Sequence, residues 1–141
     1  HYPDELFAVP WMKPTYGDPS YIVRDIYRSE NGWWDRNPTT LHPEPPEAVS
    51  AAVAAAITDK AAVIASAQAL ADAGRWQLAL HVIDLLATAS GPAPEIAQAR
   101  RLKARWLRER ARQVPSYVSR NLYRVGADMI EQGTQDRFGI H

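Results

Sequence analysis

Residues 67–86 read Ala67-Gln68-Ala69-Leu70-Ala71-Asp72-Ala73-Gly74-Arg75-Trp76-Gln77-Leu78-Ala79-Leu80-His81-Val82-Ile83-Asp84-Leu85-Leu86. Ala67, Leu70, Gly74, Trp76, Ala79, Ile83 and Leu86 stand at the spacing of a tetratricopeptide helix pair, in which small residues let two helices approach and large ones fill the gaps. Gly74 marks the break between the two helices. A second copy 34 residues on would need a small residue at Arg101 and a glycine-like break at Arg108, and has neither. One unit cannot build a solenoid, so the stretch is a helical hairpin within a bundle.

Outward from this hairpin the helical pattern continues on both sides. Towards the N-terminus, Thr58-Asp59 offers a stop and a new N-cap for a helix from Lys60 to about Ala73. Before it, Glu47 opens a helix with Val49, Val53 and Ile57 at every fourth position. Asn37-Pro38, Pro43 and Pro45-Pro46 make residues 33–46 a loop, and Gly32 closes an earlier helix that begins at Ser20 and carries Ile22, Val23, Ile26 and Tyr27 on one face. Prolines 3, 10, 14 and 19 give residues 1–19 the character of an extended arm.

Towards the C-terminus, the second helix of the hairpin runs from Arg75 to about Ser90. Gly91-Pro92-Ala93-Pro94 interrupts, with Pro94 suited to the first position of a helix that reaches about Gln113 and aligns Ile96, Ala99, Leu102 and Trp106. Pro115 opens a last helix, striped by Val118, Leu122, Val125 and Met129, that ends at Gly133. Residues 134–141 read as a frayed tail. The expectation is an all-α bundle of about six helices with no strand.

Composition limits the functions open to the chain. Hydrophobic residues are 46% and charged residues 23% of the 141, as in a folded globular domain rather than a disordered tail. Sixteen bases balance sixteen acids, so no overall field draws in nucleic acid or an anionic membrane. The charge is unevenly placed: nine acids and five bases lie up to Lys60, seven acids and eleven bases after it. An acidic front and a basic back suit contact between domains or protomers, or are solvated faces. No apolar run approaches the roughly 18 residues of a spanning helix, and Asp4 and Glu5 stand where a signal peptide would be positive. The chain opens on His1-Tyr2-Pro3, as expected of a processed chain or a domain from a longer protein.

Catalytic constellations are missing. His1, His42, His81 and His141 are scattered without metal-ligand spacing, and there is no cysteine, no Gly-x-Ser-x-Gly elbow and no phosphate-cradling glycine loop. Arg100, Arg101, Lys103, Arg105, Arg108, Arg110 and Arg112 crowd one helix and with Trp106 offer a nucleic-acid reading. They wrap around more than one face, however, and Trp106 belongs to the apolar stripe, so a solvated helix surface is the simpler reading.

Longer-range order adds a resemblance. Tyr16-Gly17, Ile26-Tyr27, Gly32-Trp33-Trp34-Asp35, Asn37-Pro38, Leu41, Pro43 and Pro45-Pro46 resemble, in order and spacing, the opening of the dimerisation domain of bacterial alkyl sulfatases, zinc hydrolases of the metallo-β-lactamase superfamily. Ala73-Gly74-Arg75-Trp76 with Ala79 and Leu85, Ala97 to Leu107, and Arg120-Asn121-Leu122-Tyr123 with Gly126-Ala127 resemble its later segments, so the likeness spans about residues 16–131. The chain departs at Ser20-Tyr21-Ile22, where many members have Ser-His-Asn, at Thr58-Asp59 for Gly-Gly, and at Gly91-Pro92 for Asp-Pro.

The resemblance implies a non-catalytic, homodimeric domain, residues 20–133, with no catalytic or metal-binding residue of its own. Its parent would carry two zinc ions in an upstream metallo-β-lactamase domain and cleave alkyl sulfate esters to alcohol and sulfate. A sterol-carrier-like domain would follow downstream, and the whole would be a soluble protein of the bacterial cytoplasm, periplasm or exterior. The candidate dimer contacts are Ile22, Val23, Ile26, Tyr27, Trp33 and Trp34, because large aromatics are enriched at interface centres. Burial of one or both tryptophans in the domain's own core is the competing reading. A free-standing helical interaction module, or a nucleic-acid binder through helix 100–112, is the alternative function.

Overall fold

The computed structural model describes residues 15–133 together with Glu5, Val9 and Lys13. Most of the proline-rich arm and all of the tail 134–141 lie outside the described residues. Among the described residues six α-helices follow one another: α1 Pro19–Asn31, α2 Pro46–Ala56, α3 Lys60–Asp72, α4 Trp76–Ala87, α5 Pro94–Gln113 and α6 Tyr117–Gln132. A 3₁₀ turn at Pro38–Thr40 sits between α1 and α2, and there is no strand among the described residues.

Each boundary has a local cause. Asp18 caps α1 by accepting from the Ser20 N–H at 2.8 Å, and Pro19 occupies the first turn, where its missing donor costs nothing. Asp59 accepts from Ala62 N–H at 2.9 Å to start α3. At the other end of α3, Gly74 takes φ +74° and Arg75 N–H returns to Leu70 O at 2.8 Å, the six-to-one bond of a glycine-terminated helix. The expected run from Arg75 to about Ser90 is shorter in the structure, because the Thr88 hydroxyl donates to Asp84 O at 2.6 Å and the chain then turns into Gly91.

Small residues bring α3, α4 and α5 together. Ala67 and Ala71 of α3, Ala79, Ile83 and Leu86 of α4, and Ala99 and Trp106 of α5 are almost completely buried and share one core. Alanine at the crossings lets the backbones approach, and Trp106 fills the space this leaves between neighbouring side chains. The α3–α4 pair therefore does form a hairpin around Gly74, and α5 covers both of its helices. The chain turns by 103° between α2 and α3, and α2 leans on α4 through buried Ala54.

The last helix packs on α5 by a face that its apolar stripe does not mark. Ala127 is fully buried and Gly126 sits against Leu107, while Arg108 bonds Asp128 and Glu131 at 2.9 and 2.8 Å and Arg110 lies over the Tyr123 ring at 5.8 Å. Leu122 and Val125 of the stripe are exposed instead. Periodicity shows which residues share a face; it does not show whether the same chain covers that face.

Trp106 is the largest fully buried side chain. Trp106→Ala is expected to lower the unfolding free energy by about 3–5 kcal/mol in urea titrations followed by circular dichroism, with helix content kept below the transition.

Candidate functional site

The first helix stands apart from the bundle. None of its thirteen residues is buried, and it packs closely on none of the other helices. What holds its base is an interaction across the chain. The carbonyls of Thr15 and Tyr16 accept from Tyr117 N–H at 2.7 Å and Val118 N–H at 3.1 Å, two of the free donors at the start of α6. Ser116, completely buried, donates its hydroxyl to Tyr16 O at 2.7 Å, and its own Oγ accepts from Ser119 N–H at 3.2 Å. The segment before α1 therefore completes the N-cap of α6, and α1 departs from that point.

On α1, Ile22, Val23, Ile26 and Tyr27 form one exposed apolar face. The loop that follows separates two adjacent tryptophans that sequence reasoning left equivalent. Trp34, 37% exposed, donates its indole N–H to Asn37 O at 2.9 Å. Asp35 accepts from Asn37 N–H at 2.9 Å and from the Thr40 hydroxyl, and Asn37 accepts from Thr39 N–H at 3.2 Å to cap the 3₁₀ turn. Arg36 adopts φ 68°, a left-handed conformation uncommon away from glycine, within this bonded frame. Trp33 lies outside the frame and is 64% exposed. Neither tryptophan is in the core: Trp34 braces the loop and Trp33 projects from it.

The loop's hydrogen bonds hold the Asp35 carboxyl below its ordinary value, chiefly through the Thr40 hydroxyl and then through Asn37 N–H.

The other sequence candidates resolve into structural roles. Arg100 donates to the Ala87 and Ala89 carbonyls at 3.2 and 2.6 Å, Lys103 pairs with Asp84 at 2.7 Å, Arg105 reaches Gln68 at 3.3 Å, and Arg112 pairs with Glu109. With Arg108 and Arg110 turned to α6, Arg100, Lys103, Arg105, Arg108 and Arg110 fasten α5 to its neighbours, while Arg112 pairs within α5 and Arg101 is exposed. A groove of about 800 Å³ runs between the start of α2, α5 and the end of α6, and the cations on its wall are these same Arg100 and Lys103. His81 lies exposed on α4 beside Gln77, His42 is exposed, and His1 and His141 fall outside the described residues. No group of three or more histidine, aspartate or glutamate side chains is placed to hold a metal among the described residues.

What the structure offers is thus an apolar helix and a projecting tryptophan, carried by a rigid bundle and left uncovered by it. Residues 1–133 match the family model for alkyl sulfatase dimerisation. The chain belongs to the alkyl sulfatase dimerisation family. It is 33% identical over 122 residues to an alkyl/aryl-sulfatase of Saccharomyces cerevisiae, covering 86% of this chain and 18% of that protein. It is 28% identical over 131 residues to an (R)-specific secondary-alkylsulfatase of a Pseudomonas species, covering 93% and 19%. A double mutant of the sec-alkyl sulfatase PisA1 superposes with a TM-score of 0.74 at 26% identity, over 96% of this chain and 23% of that one. The dimerisation domain therefore spans about a fifth of the length of these relatives, which come from a yeast as well as from bacteria.

A carboxylate with a depressed pKa stabilises the folded loop fully above the unfolded value, and that contribution is lost as pH falls through the folded one. The Trp34 indole and Asn37 amide resonances are accordingly expected to hold their positions down through the ordinary carboxylate pKa of 3.8 and to move only below it. In Asp35→Ala they should already be displaced at neutral pH.

Proposed function

We propose that this domain joins two copies of an alkyl sulfatase, and that the joint is made by the segment from Ser20 to Trp34. The observation that carries the reading is the uncovered face of Ile22, Val23, Ile26 and Tyr27, extended by Trp33, in a domain of a family named for dimerisation. A contiguous apolar face of this kind marks a contact surface, and two-fold symmetry makes every contact across a dimer occur twice, so each buried aromatic counts twice. Trp33 is the side chain that enters the partner, while Trp34 contributes by holding the loop in shape.

The catalytic work belongs to the rest of the parent protein. By its relatives' activity the parent hydrolyses sulfate esters of alcohols, and by the resemblance of its sequence it does so with two zinc ions in an upstream metallo-β-lactamase domain. A sterol-carrier-like domain downstream completes that arrangement. This domain fixes the spacing of two such enzymes and supplies no ligand and no nucleophile. No single helix is long and apolar enough to cross a membrane among the described residues.

Light scattering coupled to size exclusion tests the joint. The 141-residue chain is expected to be a dimer at low micromolar concentration. Trp33→Ala should weaken that dimer about 30-fold, the equivalent of about 2 kcal/mol for an interface anchor. The monomer's helix content should stay unchanged, because Trp33 fills no core. A wild-type monomer at high micromolar concentration contradicts the proposal. The same preparation, incubated with zinc and a secondary alkyl sulfate, should release no sulfate.

A further inference from the structure

The outward face of α6 has the same uncovered character as α1. Val118, Leu122 and Val125 repeat at intervals of four and three, the spacing of a seam that packs against another helix. Leu122 is 49% exposed, Val125 is also exposed and Val118 is half-buried, and the bundle covers the opposite side of α6 through Ala127. The seam starts at the point where α1 leaves, since Tyr16 O is bonded to Val118 N–H and only Gly17 and Asp18 separate Tyr16 from Pro19. Despite that shared origin, α1 does not fold back on its own α6. Each protomer thus presents one apolar helix and one apolar seam, both unfilled, joined at a common corner.

We infer that the two faces fill each other across the dimer: α1 of one copy lies on the seam of Val118, Leu122 and Val125 of the second copy, and the reverse contact is made by symmetry. This rests on the reading of the domain as a dimerisation module and adds the surface that receives the arm. A two-fold axis converts one α1-to-α6 contact into two identical ones, so both apolar faces are covered without α1 having to meet its own copy. The arrangement also explains why α1 carries no buried residue in a single chain. Its packing partner belongs to another molecule.

The absence of cysteine makes the geometry directly testable, because each introduced thiol is unique. Ile26→Cys and Leu122→Cys chains, carrying tags of different length and produced together, are treated with a short bismaleimide and separated under denaturing conditions. The expected product joins an Ile26→Cys chain to a Leu122→Cys chain. Replacing the second partner by Leu78→Cys, an exposed position on α4, should abolish that product. As a second reading, Leu122→Asp should weaken the dimer about 30-fold while Leu78→Asp leaves it intact, both keeping wild-type helix content. A dimer that cross-links only through two Ile26→Cys chains, only through two Leu122→Cys chains, or at neither site overturns the exchange while leaving the dimerisation reading standing. A chain that stays monomeric in light scattering overturns both.

Discussion

Two backbone carbonyls, those of Thr15 and Tyr16, occupy the first amide donors of α6, and where α1 leaves the bundle depends on that contact. The start of a helix leaves donors unpaired, and Ser116 serves only one of them through its own hydroxyl. Borrowing the remaining acceptors from a segment about a hundred residues earlier fixes the base of α1 to the corner of the bundle. Beyond that base α1 packs closely on none of the other described helices. Isolated helices shorter than about 12–15 residues are marginal in water, and α1 has thirteen residues with none buried. A covering surface would stabilise it.

The bundle answers a different demand, which is rigidity. Alanines at the α3–α4 and α4–α5 crossings leave little space for rearrangement, and Trp106 closes what remains. The basic helix α5, which by composition invites a polyanion, spends its cations on the carbonyls of Ala87 and Ala89, on Asp84, and on Asp128 and Glu131. Exposed pairs of this kind add little stability individually. Their effect is to orient α6 on α5, and so to aim the outward seam of α6.

The helices were legible in the sequence because their ends are punctuated by residues with single physical meanings. Proline opens α5, Asp59 caps α3, and Gly74 and Gly133 take the left-handed conformations that end α3 and α6. That Ile22, Val23, Ile26 and Tyr27 share one face of α1 was also readable from their spacing. Three features were not. The tie between Tyr16 and α6 joins positions a hundred residues apart and uses backbone atoms, which leave no residue signature. Trp33 and Trp34 are chemically identical, and only the bond from Trp34 to Asn37 O assigns them different tasks. The stripe on α6 has the period of a buried face, yet the small residues Gly126 and Ala127 make the contact with α5, because close approach favours the small side of a helix.

Hydrogen exchange on α1 at two protein concentrations, one above and one below the dissociation constant of the dimer, tests most directly whether a second copy covers it. The account predicts that the amides of residues 22–27 are protected at the higher concentration and exchange nearly freely at the lower, while those of α3 and α4 are equally protected at both. Equal protection of α1 at both concentrations, with the dimer shown by sedimentation to have dissociated, would contradict it.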